Sequence, residues 1–134
     1  MTAWIDAHNH LQDARLGDAV EIIDTMHQSG VVRCVVNATR ESDWAAVENL
    51  AIVHPDFILP AFGIHPWHAH TATPGWQNRL SNLLEKHPAS SVGECGLDGW
   101  IESPSFEVQN PVFLDQLRIA RELDRPITIH CLKA

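Results

Sequence analysis

The chain has 134 residues, 45% hydrophobic and 19% charged, a balance that fits one globular domain with a sizeable core. Asp and Glu number 17 against 9 Lys and Arg, for a net charge of −8. That excludes an extended basic nucleic-acid surface, though not a site that grips a single phosphate through metal ions. No stretch approaches the roughly 18 apolar residues of a membrane span.

Asp6, His8 and His10 stand where the apolar run of a signal peptide would have to lie, and Cys34, Cys95 and Cys131 show no CxxC spacing. The expectation is a reduced, cytoplasmic protein with no membrane partner.

Residues 3–8 read as a first strand. Asp18 then caps a helix whose Ala19, Ile22, Ile23 and Met26 share one face, and Gly30 follows as its terminator. Residues 31–37 are β-branched and apolar on both faces, as suits a parallel strand buried on both sides. Ser42 is placed to cap a second helix carrying Trp44, Val47 and Ala51, which Pro55 ends. Residues 58–62 form a third strand, with Pro60 an awkward member.

Trp76, Leu80, Leu83 and Leu84 mark a third helix stopped before Pro88. Residues 91–95 make a fourth strand, and a loop is expected over 96–109. Asn110 with Pro111 reads as the start of a fourth helix, whose Phe113, Leu117 and Ala120 face inward. Residues 126–130 are the fifth strand.

The order βαβαβαβαβ predicts an α/β fold with a parallel sheet and right-handed crossovers. A whole (β/α)8 barrel needs about 250 residues. Residues 1–134 are therefore read as one incomplete TIM-type barrel domain of about five strands and four helices, stopping after its fifth strand.

Chemistry collects at the strand ends. His8 and His10 are two apart on a strand and so point the same way. Read alone, they are either a metal-ligand pair or a polar strand end in solvent. Asp6 has the same parity and is a candidate to orient a ligand histidine. Glu94 ends a strand expected to be buried on both faces, where an unpaired carboxylate is costly and a metal ion would make it tolerable. Gly93 and Gly96 beside it leave room for close backbone approach. Asp98 either supports the site or caps the following turn.

His130 ends the fifth strand as Glu94 ends the fourth, and His65 follows the third. Each alone has a bland reading, such as a strand-end histidine bonded to backbone. Four of five strands ending in such groups point to one shared site, because the ends of parallel strands converge on one rim.

Asp6-Ala7-His8-Asn9-His10-Leu11 resembles the DxHxHL opening of the TatD-like metal-dependent hydrolases. Gly63-Ile64-His65-Pro66 is similar to their GxHP loop, and Gly93-Glu94-Cys95-Gly96-Leu97-Asp98 to their GExGLD segment. Phe113, Gln116-Leu117 and Ala120, with Pro126-Ile127-Thr128-Ile129-His130-Cys131, resemble their helix leading to a strand that ends in histidine.

The resemblance spans essentially the whole chain. It implies a TIM-type barrel with one or two divalent ions, with His8 and His10 on one, His130 on the other and the catalytic Glu94 bridging. Mixed imidazole and carboxylate donors suit Zn, Mn or Mg. It implies hydrolysis of phosphodiesters, as in a deoxyribonuclease, with DNA or a similar substrate. His65 would face the substrate phosphate.

Several positions depart from the family pattern. Trp67 intervenes before His68, Gly99 precedes Trp100, and Leu132 and Lys133 stand where an arginine is frequent. Lys133 offers a substrate-binding charge without bidentate phosphate recognition. Family members continue through three more strands, which bring a further ligand histidine and an aspartate. The 134 residues alone are therefore expected to bind metal with weak or no turnover. Two other readings are a hydrolase of cyclic amides, since barrel loops set function, and a non-catalytic barrel fragment that survives by pairing its open edges.

Overall fold

The structure, a computed structural model, describes residues 2–134. Five strands lie in the order β1 (Trp4–Asn9), β2 (Val31–Asn37), β3 (Ile58–Phe62), β4 (Ser91–Asp98) and β5 (Ile127–Leu132), every neighbouring pair parallel. Helices α1 (Ala19–Gln28), α2 (Glu41–Val53), α3 (Trp76–Lys86) and α4 (Phe106–Glu122) connect them. The result is the expected half-barrel, with β1 and β5 as open edges. Among the described residues, no helix is long and apolar enough to cross a membrane.

Helix α1 starts as its sequence dictates: the Asp18 carboxylate accepts from the Val20 N–H at 2.8 Å. Gly30 follows with φ of +85°, a conformation only glycine adopts freely. The core runs between sheet and helices through Ile23, Val36, Trp44, Val47, Phe62, Leu80 and Leu84. Fully burying each such side chain stabilises the fold by about 1.5–3 kcal/mol.

Four local expectations are corrected. Helix α2 begins before Ser42, because Asp43 reaches back and accepts from the Arg40 N–H at 3.2 Å and the Thr39 N–H at 3.0 Å; a carboxylate three residues into a helix closes its first turn in this way. Strand β4 extends through Asp98, since Gly96, Leu97 and Asp98 pair with His130, Cys131 and Leu132. Helix α4 starts at Phe106 and carries Pro111 inside it. The turn ahead of Pro111 is held by tertiary contacts: the buried Gln109 amide donates to the carbonyls of Asp98 and Pro104 and accepts from the Asp98 N–H. Residues 66–71 form a 3-10 helix instead of irregular loop.

Pro60 sits inside β3 without cost to the ladder. Cys34 N–H donates to the Phe57 carbonyl and Ala38 N–H to that of Ala61, so odd-numbered residues of β3 face β2. The nitrogen of Pro60 faces β4, whose pairing with β3 begins only at Ala61. Trp4, on edge strand β1, is exposed, and Cys131, on edge strand β5, is exposed while Cys95 is buried. An edge strand has no outer neighbour to complete its cover.

Candidate metal centre

The end of β1, the middle of β4 and β5 and the loop after β3 bring His8, His10, Glu94, His130 and His65 together. The Glu94 carboxylate stands in the middle. Its Oε2 lies 3.1 Å from His8 Nε2 and 3.4 Å from His10 Nε2, which are themselves 3.2 Å apart. Its Oε1 lies 3.2 Å from His130 Nδ1 and 3.7 Å from His65 Nε2, and those two nitrogens are 3.1 Å apart. Donor atoms around one tetrahedral ion with bonds of roughly 2.0–2.1 Å are about 3.3 Å from each other. Both triangles have that scale, so the residues present fit a metal on either side of the carboxylate.

Hydrogen bonds decide which ring nitrogens are free to serve as ligands. His10 Nδ1 lies 2.7 Å from the Asn37 carbonyl, which can only accept; Nδ1 therefore carries a proton, and Nε2 is the nitrogen that faces Glu94, donating to it in the protonated ring and free to ligate in the neutral one. His130 Nε2 donates to Asp98 Oδ2 at 2.9 Å, which leaves its Nδ1 lone pair facing the cluster. His65 is the reverse case. Its Nδ1 accepts from the Trp67 backbone N–H at 3.1 Å, so the ring carries its proton on Nε2. A protonated nitrogen cannot ligate. His65 thus faces the cluster as a hydrogen-bond donor, and the second triangle offers two ligands, Glu94 and His130.

The electrostatics agree. Burial works to raise the Glu94 pKa, but the hydrogen bond from His10 and the neighbouring His65 and His8 overcome it and hold the carboxyl down at about 2. His10 is raised, chiefly by its hydrogen bond to Glu94. Burial drives His65 down to about 4, so it stays neutral at ordinary pH. Burial pushes the Asp98 carboxyl up, but donors from Trp67, Trp100 and His130 outweigh that and leave it below the usual range.

The cluster opens into a cavity of about 790 Å³ that Arg15, Arg40, Asp43, Trp67 and His68 also line.

A family model for TatD-related DNases matches residues 5–134. The chain belongs to the TatD-related DNase family. It is 31% identical over 117 residues to the 3'-5' ssDNA/RNA exonuclease TatD of Pantoea ananatis, covering 87% of this chain and 45% of that protein. It is 32% identical over 130 residues to the uncharacterized metal-dependent hydrolase YjjV of Escherichia coli K12, covering 95% and 50%. The crystal structure of YjjV, a TatD homolog, superposes with a TM-score of 0.88 at 30% identity, over 97% of this chain and 51% of that one. The chain thus spans about half the length of the relatives it matches.

Not every expected site residue of this TatD-family chain lies where the sequence suggested. Asp6 holds the His8 backbone N–H at 3.1 Å and the Asn9 amide at 2.9 Å, not a ligand ring. The ring it was expected to orient is held by the Asn37 carbonyl instead, a contact no side-chain pattern reveals. One oxygen of Asp98 accepts from His130 Nε2 and the other from the Trp100 N–H at 2.8 Å. Lys133 lies outside the cavity lining, its ammonium 3.7 Å over the Trp100 ring. Arg40 lines the cavity and was missed, because a lone arginine at a helix start carries no pattern.

Two buried glutamines on α4 were also missed as supports. Gln116 accepts from the Ile64 N–H at 2.7 Å and donates to the Ile64 carbonyl at 3.1 Å, fixing the loop that carries His65. Gln109 does the same for Asp98. Gly96 leaves room for close backbone approach, since a Cβ there would collide with the His130 carbonyl oxygen.

Proposed function

We propose that this chain carries the metal-binding half of a hydrolase that cleaves phosphodiester bonds in DNA or a similar nucleic acid. One observation carries the reading: the two oxygens of Glu94 are shared out between His8 with His10 on one side and His130 on the other. Residues so placed would hold one ion beside His8 and His10 and another beside His130, with Glu94 offering an oxygen to each. Divalent ions held there would supply an activated water and a polarised phosphoryl oxygen. His65, neutral and protonated on Nε2, donates a hydrogen bond to a phosphate oxygen beside the cluster. Arg40 adds the bidentate cation that Lys133 does not bring to the cavity. The names of the relatives, a single-stranded DNA and RNA exonuclease among them, support this substrate class. The free cysteines, two of them buried, suit a cytoplasmic setting.

The 134-residue chain by itself is expected to bind metal and turn over weakly or not at all, since the site is open on the side of both sheet edges. Calorimetric titration with Zn²⁺ or Mn²⁺ should show binding that Glu94→Gln abolishes, with the fold intact by circular dichroism. Nuclease assays on single-stranded DNA, run beside a cyclic-amide substrate, test the reaction. Robust metal-dependent DNA cleavage by this chain, lost in Glu94→Gln, would overturn the expectation of weak turnover; metal binding unaffected by that substitution would overturn the site.

A second reading rests on the edges. Trp4, Ile5, Ile129 and Leu132 are exposed on β1 and β5, which suits a non-catalytic half-barrel that must pair its edges to persist. A monodisperse monomer in light scattering counts against it.

A further inference from the structure

We propose that Trp67 is the positioning residue for the interior half of the site, fixing through two separate N–H groups which nitrogen each of two histidines presents. The inference rests on the metal reading above for its binding test only; its ring-tautomer test stands without metal.

Trp67 is the residue that parts His65-Pro66 from His68. It is the second residue of the 3-10 helix Pro66–Thr71, and its backbone N–H, one of the free donors of that first turn, points back at His65 Nδ1 at 3.1 Å. An imidazole nitrogen that accepts bears no proton. His65 is thereby held with its proton on Nε2, as a donor toward His130 and Glu94.

The indole of the same residue points the other way along the rim. Its Nε1–H donates to Asp98 Oδ2 at 2.7 Å, the oxygen that also takes the proton of His130 Nε2 at 2.9 Å. Asp98 is 1% exposed, so water does not compete for that oxygen. The Trp100 N–H holds the second oxygen. With both oxygens tied, the carboxylate cannot rotate away from His130, and His130 Nδ1 keeps its lone pair on the cluster. The face of the indole remains half-exposed, so burial alone does not explain a tryptophan here. Its N–H does, because tryptophan offers a donor that cannot also accept.

The test uses Trp67→Phe, which keeps the backbone N–H and most of the ring and removes only the indole donor. In the metal-free chain labelled with ¹⁵N at histidine, two-bond ring couplings report each tautomer. In the wild type, His65 and His130 should both be protonated at Nε2. In Trp67→Phe, His65 should be unchanged and His130 should become a mixture of tautomers. Zn²⁺ calorimetry should show the weaker second binding event lowered by about 10–100-fold, the usual effect of losing an outer hydrogen bond, with binding at His8 and His10 changed less than twofold.

A wild-type His130 protonated at Nδ1 overturns the proposal with no variant needed. So does a His130 tautomer unmoved by Trp67→Phe. Failure of Zn²⁺ to bind twice, with the tautomers as stated, would count against the two-ion reading and leave the positioning role standing.

Discussion

The two halves of the site are built differently. His8 and His10 belong to the edge strand β1, and their side chains are 38% and 33% exposed; Glu94, His65 and His130 are 11%, 9% and 19% exposed. On the edge side, one carbonyl orients one ring. On the interior side, Trp67, Asp98, Gln109 and Gln116 support His65 and His130 through buried and part-buried hydrogen bonds. Both β1 and β5 are edge strands, but the His130 ring on β5 packs against His65 and Asp98, from the loop after β3 and the end of β4, whereas His8 at the end of β1 has no such cover. Equal ligand chemistry therefore comes with unequal preorganisation, and the interior half should bear more of the fold's stability.

The largest break in that contrast should come from Gly96→Ala. A Cβ would collide with the His130 carbonyl at φ of +145°, prying β5 from β4. The expected loss is about 3 kcal/mol or more, read as a lower denaturation midpoint, together with loss of the second metal event.

Next come two matched deletions. His130→Ala strips a donor from the buried carboxylate of Asp98 and should cost the metal-free chain about 1–3 kcal/mol. His8→Ala, at the exposed edge, should cost under about 0.5 kcal/mol. Each should still remove one metal-binding event. Equal stability losses in urea unfolding would erase the distinction.

A subtler effect is the pH response of the metal-free chain. Glu94 is lowered from 4.5 to about 2 in the fold, so its contribution is complete above 4.5 and fades as pH falls toward 2. His10 is raised above 6.5, so its contribution is complete below 6.5 and fades as pH rises through the folded value. The pair thus stabilises most between pH 4.5 and 6.5. Metal must displace the His10 proton, so ion binding should strengthen as pH rises out of that window. Thermal scans at pH 5.5 and 8, with and without Zn²⁺, should show opposite trends.

The smallest effect is expected at Lys133. Lys133→Ala gives up a stacked cation worth about 0.5–1 kcal/mol and should leave metal affinity unchanged. A marked loss of DNA binding by this variant, absent in Arg40→Ala, would return to Lys133 the substrate role that its place over Trp100 argues against.

What the sequence determined by itself was the alternation of elements and the identity of the central donors. Buried parallel strands are continuous apolar runs, and a polar residue at the end of one is conspicuous: hence His8, His10, Glu94 and His130, with His65 on its loop. The tertiary structure decided what those residues are to each other. Asn37 orients His10 through a main-chain oxygen, which any residue type has. Gln109 and Gln116 act across gaps of 11 and 52 residues, and Gln109 also carries α4 past the start that Pro111 suggested. The tautomer of His65, which makes it a donor and not a ligand, depends on the 3-10 turn at Trp67. The sequence could supply the donor atoms because their chemistry is local to each side chain. Which nitrogen carries the proton is set by a neighbour brought close only by folding.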